Sequence, residues 1–144
     1  VALEMRRRWV KDRYDMGARA DELLAQVGIS GIADERVESL PTGSARLVEV
    51  ARALATGPKV LLLDEPSSGL DEAETDALGM LLHRLASEGL GVLLVEHDMP
   101  LVMDTCTYIN VLDFGRVIAN GTPDEIQRNP SVQRAYLGTA KATT

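Results

Sequence analysis

Two short apolar runs in this chain end in acid. Val60, Leu61, Leu62 and Leu63 stop at Asp64 and Glu65, and Val92 to Val95 stop at Glu96, His97 and Asp98. Neighbouring carboxylates at a strand end point in different directions, so one suits a Mg²⁺ ion and the other can polarise an attacking water. In open parallel sheets ligands collect beyond the carboxyl ends of the strands, which predicts that Asp64, Glu65 and His97 share one edge. A plainer reading also fits each residue taken alone: Asp64 and Glu65 cap the turn before the next helix, and His97 is a satisfied loop residue.

Such groups need elements to hold them. Both apolar runs are unbroken, the pattern of strands buried on two faces. Between them Leu70, Ala77, Leu78, Leu81, Leu82 and Leu85 predict an amphipathic helix that stops near Gly89. Strand, helix and strand of this length make a crossover with parallel strands. Upstream, Leu23, Leu24 and Val27 predict a helix over Asp21 to Val27, stopped by Gly28. After a polar linker, Leu47, Val50, Ala51 and Leu54 repeat at helical spacing. That second helix is entered through Pro41-Thr42-Gly43-Ser44 and closed by Gly57 and Pro58. Downstream, Ile109 to Leu112 and Val117 to Ala119 flank Phe114-Gly115-Arg116, which predicts a hairpin giving the sheet an antiparallel edge. Thr122-Pro123-Asp124-Glu125 is a capping box before a short helix, and Asn129-Pro130 opens another toward Leu137.

Composition narrows the class. The 144 residues are 45% hydrophobic and 26% charged, as expected of a soluble globular chain with one core. Aromatics make up 3%, too few for a platform on which bases stack. Residues 1–20 carry six basic and three acidic side chains, leaving nine basic and nineteen acidic in the remainder. That acidic bulk repels a polyanion and argues against nucleic acid as a partner. The basic start reads as a solvated helix face or as a contact for phosphate or anionic lipid. The longest apolar runs are four residues, far below the roughly 20 that span a bilayer. No apolar segment follows the basic start and Cys106 has no partner cysteine, so a cytosolic address is expected. The first residue is Val1 rather than Met, which suggests a lost beginning.

Taken in order, Leu61-Leu62-Leu63-Asp64-Glu65-Pro66, Ser67-Ser68-Gly69-Leu70-Asp71 and Leu94-Val95-Glu96-His97-Asp98 resemble the second half of an ATP-binding cassette (ABC) domain. Leu40-Pro41-Thr42-Gly43-Ser44, followed by Ala51-Arg52-Ala53-Leu54, stands where that family has its signature motif. The tail, with Glu96-His97-Asp98-Met99, Gly121-Thr122-Pro123, Glu125-Ile126 and Ala135-Tyr136-Leu137-Gly138, is similar to the ATPase subunits of branched-chain amino acid importers. The resemblance implies an α/β, P-loop NTPase-like fold comprising the carboxyl-terminal part of an ABC ATPase domain. A helical subdomain and signature helix would fill 1–57, the catalytic core and edge hairpin 58–120, and terminal helices 121–144. It implies ATP and Mg²⁺ as cofactors, a second cassette and transmembrane permease subunits as partners, and a place on the inner face of the cell membrane. By the same resemblance Asp64 holds Mg²⁺ through water, Glu65 is the general base and His97 contacts the γ-phosphate. Pro41, Thr42, Gly43 and Ser44 would meet the nucleotide of the opposing subunit, and Ser68, Gly69 and Asp71 form the loop that acts across the dimer.

Two departures from the family pattern stand out. The phosphate-cradling G-x-x-x-x-G-K-[ST] is absent: Lys11, Lys59 and Lys141 are the only lysines and none has that surround. The family's glutamine-bearing loop is missing too, so a fragment of a cassette is expected, either an ATPase part or a non-catalytic piece that docks to a cassette or membrane partner. The signature is altered, because proline, threonine and serine replace its serine, first glycine and glutamine. Pro41 offers neither N–H nor hydroxyl, although Gly43, the helix start and the Thr42 or Ser44 hydroxyl remain. The 144-residue chain should therefore release no phosphate from ATP above background, and steady-state turnover that vanishes in Glu65→Gln would refute this.

Overall fold

A computed structural model describes residues 2–10 and 15–137. Lys11, Gly138 and Lys141 lie outside the described residues. The chain divides into two compact units, residues 1–96 and 97–144.

In the first unit, α1 (Ala2–Val10) precedes α2 (Met16–Gln26), α3 (Thr42–Leu54), β1 (Val60–Asp64), α4 (Glu72–Ser87) and β2 (Gly91–Val95). The linker between α2 and α3 carries two short 3-10 turns, Ser30–Ile32 and Val37–Ser39. The expected crossover is present: β1 and β2 are parallel, with Leu62 opposite Leu93 and Asp64 opposite Val95. Leu78, Leu81, Leu82 and Leu85 of α4 form one cluster with Leu61 of β1, Val50, Ala51 and Leu54 of α3, Leu23 of α2 and Val27 at its C-cap. Truncating a leucine as buried as Leu82 costs about 2–5 kcal/mol. Leu70, placed on the α4 stripe by its spacing, instead lies in the loop before the Asp71 N-cap.

Gly28 and Gly89 end α2 and α4 in the same way. At φ 83° and 94° they let the next N–H turn back, so Ile29 N–H donates to the Leu24 carbonyl at 2.8 Å and Leu90 N–H to the Leu85 carbonyl at 3.1 Å. Arg6, half-buried, donates to the Ala55 carbonyl at 3.5 Å, putting a cation at the negative end of α3. At least this basic residue of α1 therefore has a protein acceptor rather than water alone.

Burial of the strands departs from expectation. Leu61 is buried, but Val60, Leu62, Leu93 and Val95 stay open on the other face, Leu62 at 69% and Leu93 at 57% exposure. An unbroken apolar run reports that both faces are apolar, not that both are covered. Among the described residues β1 pairs with β2 and with no third strand.

The second unit runs α5 (Met99–Thr105), β3 (Ile109–Asp113), β4 (Arg116–Gly121), α6 (Pro123–Gln127), α7 (Pro130–Val132) and a π-helical turn, Gln133–Leu137. Asp113 faces Arg116, leaving a two-residue turn in which Phe114 and Gly115 both have positive φ, 44° and 74°. That sign at both positions matches the right-handed twist of the strands. A bulge after Val111 shifts the register, so Leu112 faces Val117. Among the described residues β3 and β4 form a two-stranded antiparallel sheet. Length alone suggests one core, yet Val102, Ile109, Val111, Ile126 and Val132 gather in a second cluster around this hairpin.

Thr122 donates its N–H (2.8 Å) and its hydroxyl (3.0 Å) to Glu125 Oε2, the carboxylate arm of the expected capping box. The backbone bond first, and then the hydroxyl, hold the Glu125 carboxyl below its ordinary range. A depressed carboxyl adds stability above its unfolded pKa, and that contribution is lost as acidification passes through the folded value.

The open apolar face should make the chain self-associate despite its net charge of -7. Leu62→Lys combined with Leu93→Lys should weaken that association by at least about tenfold. Sedimentation velocity at low micromolar concentration checks both statements, and a wild-type monomer with cooperative thermal unfolding would contradict them.

Candidate functional site

β1 carries the chain to Asp64 and pairing continues one residue further, because Glu65 N–H donates to the Val95 carbonyl at 2.8 Å. Glu65 then turns sharply at φ 44°, a conformation uncommon outside glycine. Ser68 N–H donates back to the Glu65 carbonyl at 3.1 Å and Leu70 N–H to the Ser67 carbonyl at 3.0 Å, so the loop after the acidic pair is wound tightly. Pro66 and Ser67 are buried beneath it, while Asp64, Glu65, Ser68 and Gly69 face solvent.

A second strand end fixes this loop. Glu96, just beyond β2, accepts the Ser67 N–H on Oε1 at 2.8 Å. Parallel pairing brings the ends of β1 and β2 together, and the carboxylate of one end clamps the loop of the other. Motif spacing alone did not mark Glu96 for this role. The signal was its position after Val95, the partner of Asp64. His97 opens the second unit, and Asp98 beside it caps α5, accepting the Leu101 N–H at 3.0 Å. α5 was absent from the expected elements, although Asp98-Met99-Pro100 carries both an N-cap acid and an early proline.

Pro41 is the N-cap of α3 and makes no side-chain capping bond. The first internal bond runs from Ala45 N–H to the Pro41 carbonyl at 3.0 Å, so the amides of Thr42, Gly43 and Ser44 precede the helical ladder. These three N–H groups sit at the positive pole of a 13-residue helix, which favours an anion. The loop at 67–71 lies against this turn. A Cβ on Gly69 would stand 3.3 Å from Thr42 Cγ2, and Gly43 is buried against Glu74. Asp71 caps α4, its Oδ1 accepting the Glu74 N–H at 2.8 Å. Six of the predicted residues (Thr42, Gly43, Ser44, Ser68, Gly69 and Asp71) thus occupy two adjoining segments. Between α3 and β1 a trench of about 240 Å³ reaches Asp64, floored by Val50, Leu61 and Leu78 and rimmed by Arg46, which pairs with Glu49 at 3.1 Å.

Among the described residues no three His, Cys, Asp or Glu side chains are grouped to hold a metal.

Strand, crossover helix and parallel strand with an acidic strand end make an α/β domain, and its structural neighbours are cassettes of the P-loop NTPase fold. Residues 2–68 match the family described as ABC transporter, and residues 116–142 match that described as branched-chain amino acid ATP-binding cassette transporter. The chain belongs to the ATP-binding cassette transporter family. It is 44% identical over 118 residues to the high-affinity branched-chain amino acid transport ATP-binding protein BraF of Pseudomonas aeruginosa, covering 81% of this chain and 46% of BraF. It is 39% identical over 120 residues to the lipopolysaccharide export system ATP-binding protein LptB of Haemophilus influenzae, covering 83% of this chain and 50% of LptB. The crystal structure of the ADP conformation of MJ1267, an ATP-binding cassette of an ABC transporter, superposes with a TM-score of 0.78 at 27% identity, covering 88% of this chain and 52% of that one. The chain thus spans about half the length of the curated relatives it matches.

The turn at Glu65 yields a stability test. Glycine normally destabilises relative to alanine, but at φ 44° a Cβ costs roughly 1–2 kcal/mol. Glu65→Gly should therefore be the more stable of the pair Glu65→Gly and Glu65→Ala by about 1 kcal/mol, read from denaturant midpoints. The reverse order would show that residue 65 does not hold this conformation.

Proposed function

We propose that the chain is the carboxyl-terminal part of the ATP-hydrolysing subunit of an ABC importer whose solutes are branched-chain amino acids. The observation that carries the reading is the strand end at Asp64 and Glu65, exposed and backed by a loop that Glu96 clamps. The solute class is supported by the match of residues 116–142 and by the likeness to BraF. Likeness to LptB supports the broader statement, a subunit that energises transport, and the match at 116–142 favours import of amino acids over lipopolysaccharide export.

In this reading Asp64 would hold Mg²⁺, which when bound would neutralise charge on the phosphate oxygens. Glu65 accepts the proton of the attacking water. His97 donates a hydrogen bond to the γ-phosphate. The amides of Thr42, Gly43 and Ser44 face the γ-phosphate held by a second cassette, where Pro41 contributes only its carbonyl and ring. Ser68, Gly69 and Asp71 meet that second cassette from the other side of the same segment. Phosphoryl transfer to water asks for positioning and charge stabilisation, and the pinned loop supplies the first of these. The 144 residues carry no G-x-x-x-x-G-K-[ST] run to cradle the phosphates. Permease subunits then place the protein on the inner face of the membrane; among the described residues no helix is long and apolar enough to cross it. A non-catalytic docking piece is the competing function, and the same experiment separates the two.

The gene read upstream to an in-frame phosphate loop supplies the protein for the test. In that longer form Glu65→Gln should lower turnover by roughly 10² to 10⁴, about 3 to 5 kcal/mol, with ATP affinity retained because the amide keeps the carboxylate's shape. Turnover falling less than tenfold would make Glu65 a turn residue, and an unaltered longer form without turnover would favour the docking piece.

A further inference from the structure

Glu74 belongs to none of the motifs above, yet it touches two of them. Its Oε2 accepts the Asp71 N–H at 3.0 Å while its own N–H donates to Asp71 Oδ1 at 2.8 Å, a reciprocal cap at the start of α4. The same carboxylate lies flat against Gly43 in the first turn of α3. A Cβ at Gly43 would stand 2.5 Å from Glu74 Cδ and 3.1 Å from Oε2, with Oε1 nearer still. The helical conformation of Gly43 is open to any L-residue, so its lack of a side chain serves this contact rather than the backbone. Glu74 is flexible, but a Cβ at Gly43 would press on the same carboxylate that accepts the Asp71 N–H. One carboxylate thus sits at two helix amino termini, where both dipoles favour it.

We propose that Glu74 is a positioning residue that locks the amino-terminal turn of α3 to the loop 67–71, so that the amides of residues 42–44 and Asp71 are presented as one rigid piece. The Thr42 methyl against Gly69 closes the other end of the contact. What the piece is presented to rests on the nucleotide reading above; the lock itself does not. In that reading the two segments that reach the opposing cassette keep a fixed spacing, and an altered signature still arrives in register with the loop.

The test is amide hydrogen exchange on the full 144-residue chain, without nucleotide, so its failure is distinct from failure of the ATPase reading. Glu74→Ala should speed exchange of the Asp71 amide by roughly 2- to 30-fold, the range of a lost cap. Glu74→Gln, which keeps an acceptor oxygen, should restore most of the protection. Gly43→Ala should speed exchange at Asp71, 28 positions away in sequence, and should add little on top of Glu74→Ala because both remove one contact. An unchanged Asp71 amide in Gly43→Ala, or additive effects of the two substitutions, overturns the proposal. If Gly43→Ala does not fold, Glu74→Ala alone decides: it must shift the amide resonances of residues 42–44, and unshifted resonances overturn the lock.

Discussion

Everything at the acidic end of this protein depends on the parallel pairing of β1 with β2. Because Asp64 stands opposite Val95, the chain after β1 turns over the chain after β2, and Glu96 is delivered beneath the loop it clamps. A slip of one residue would invert every side chain on the strand, burying Asp64 and turning Leu61 to solvent. Packing opposes that slip: Leu61 is buried in the same apolar cluster as Leu78 and Leu82 of α4, the helix that begins where the loop ends. The hydrophobic cluster and the candidate chemistry are therefore not separate achievements of the fold. One sets the register that the other needs.

A second theme is how many helix ends are closed by acids. Asp71 and Glu74, Asp98, and Glu125 each satisfy amides at a helix start, and glycines 28 and 89 close two helix ends. Such caps are worth about 0.5–2 kcal/mol apiece, comparable to a buried methylene or two. In short helices such as α5 and α6, where intrinsic helicity is marginal, they decide where the helix begins. The overall acidity of the chain is partly explained in this way. Several of its carboxylates are structural acceptors rather than a diffuse field.

Much of this architecture was legible in the residues, and the reasons differ by element. The strands, the long helix between them and the hairpin follow from apolar spacing and from glycines at turns, signals that do not depend on distant contacts. The acidic pair was legible because a sharp change from four aliphatics to two carboxylates marks a strand end. Coverage was not: Leu62 and Leu93 are as apolar as Leu61, and only the neighbours present decide which of them meets solvent. The contact of Glu74 with Gly43 was silent, because it joins two segments that neither motif spacing nor periodicity relates, and Glu96 shows its role only once the strand register is known. α5 is hidden for a different reason: its cap, Asp98, overlaps the histidine-bearing segment.

The hairpin tip offers a closing consequence, in terms of cleavage. Phe114 is wholly exposed at the apex of a two-residue turn, with its backbone at positive φ, so a protease that selects aromatic residues meets it before any buried one. A cut there would fall between strands that remain joined by their own ladder from Ile109 to Gly121, with Tyr136 hydroxyl donating to the Leu112 carbonyl as a further tie. After such a cut the ladder, that hydroxyl and the apolar cluster of Ile109, Val111, Ile126 and Val132 would be what ties the two sides of the tip.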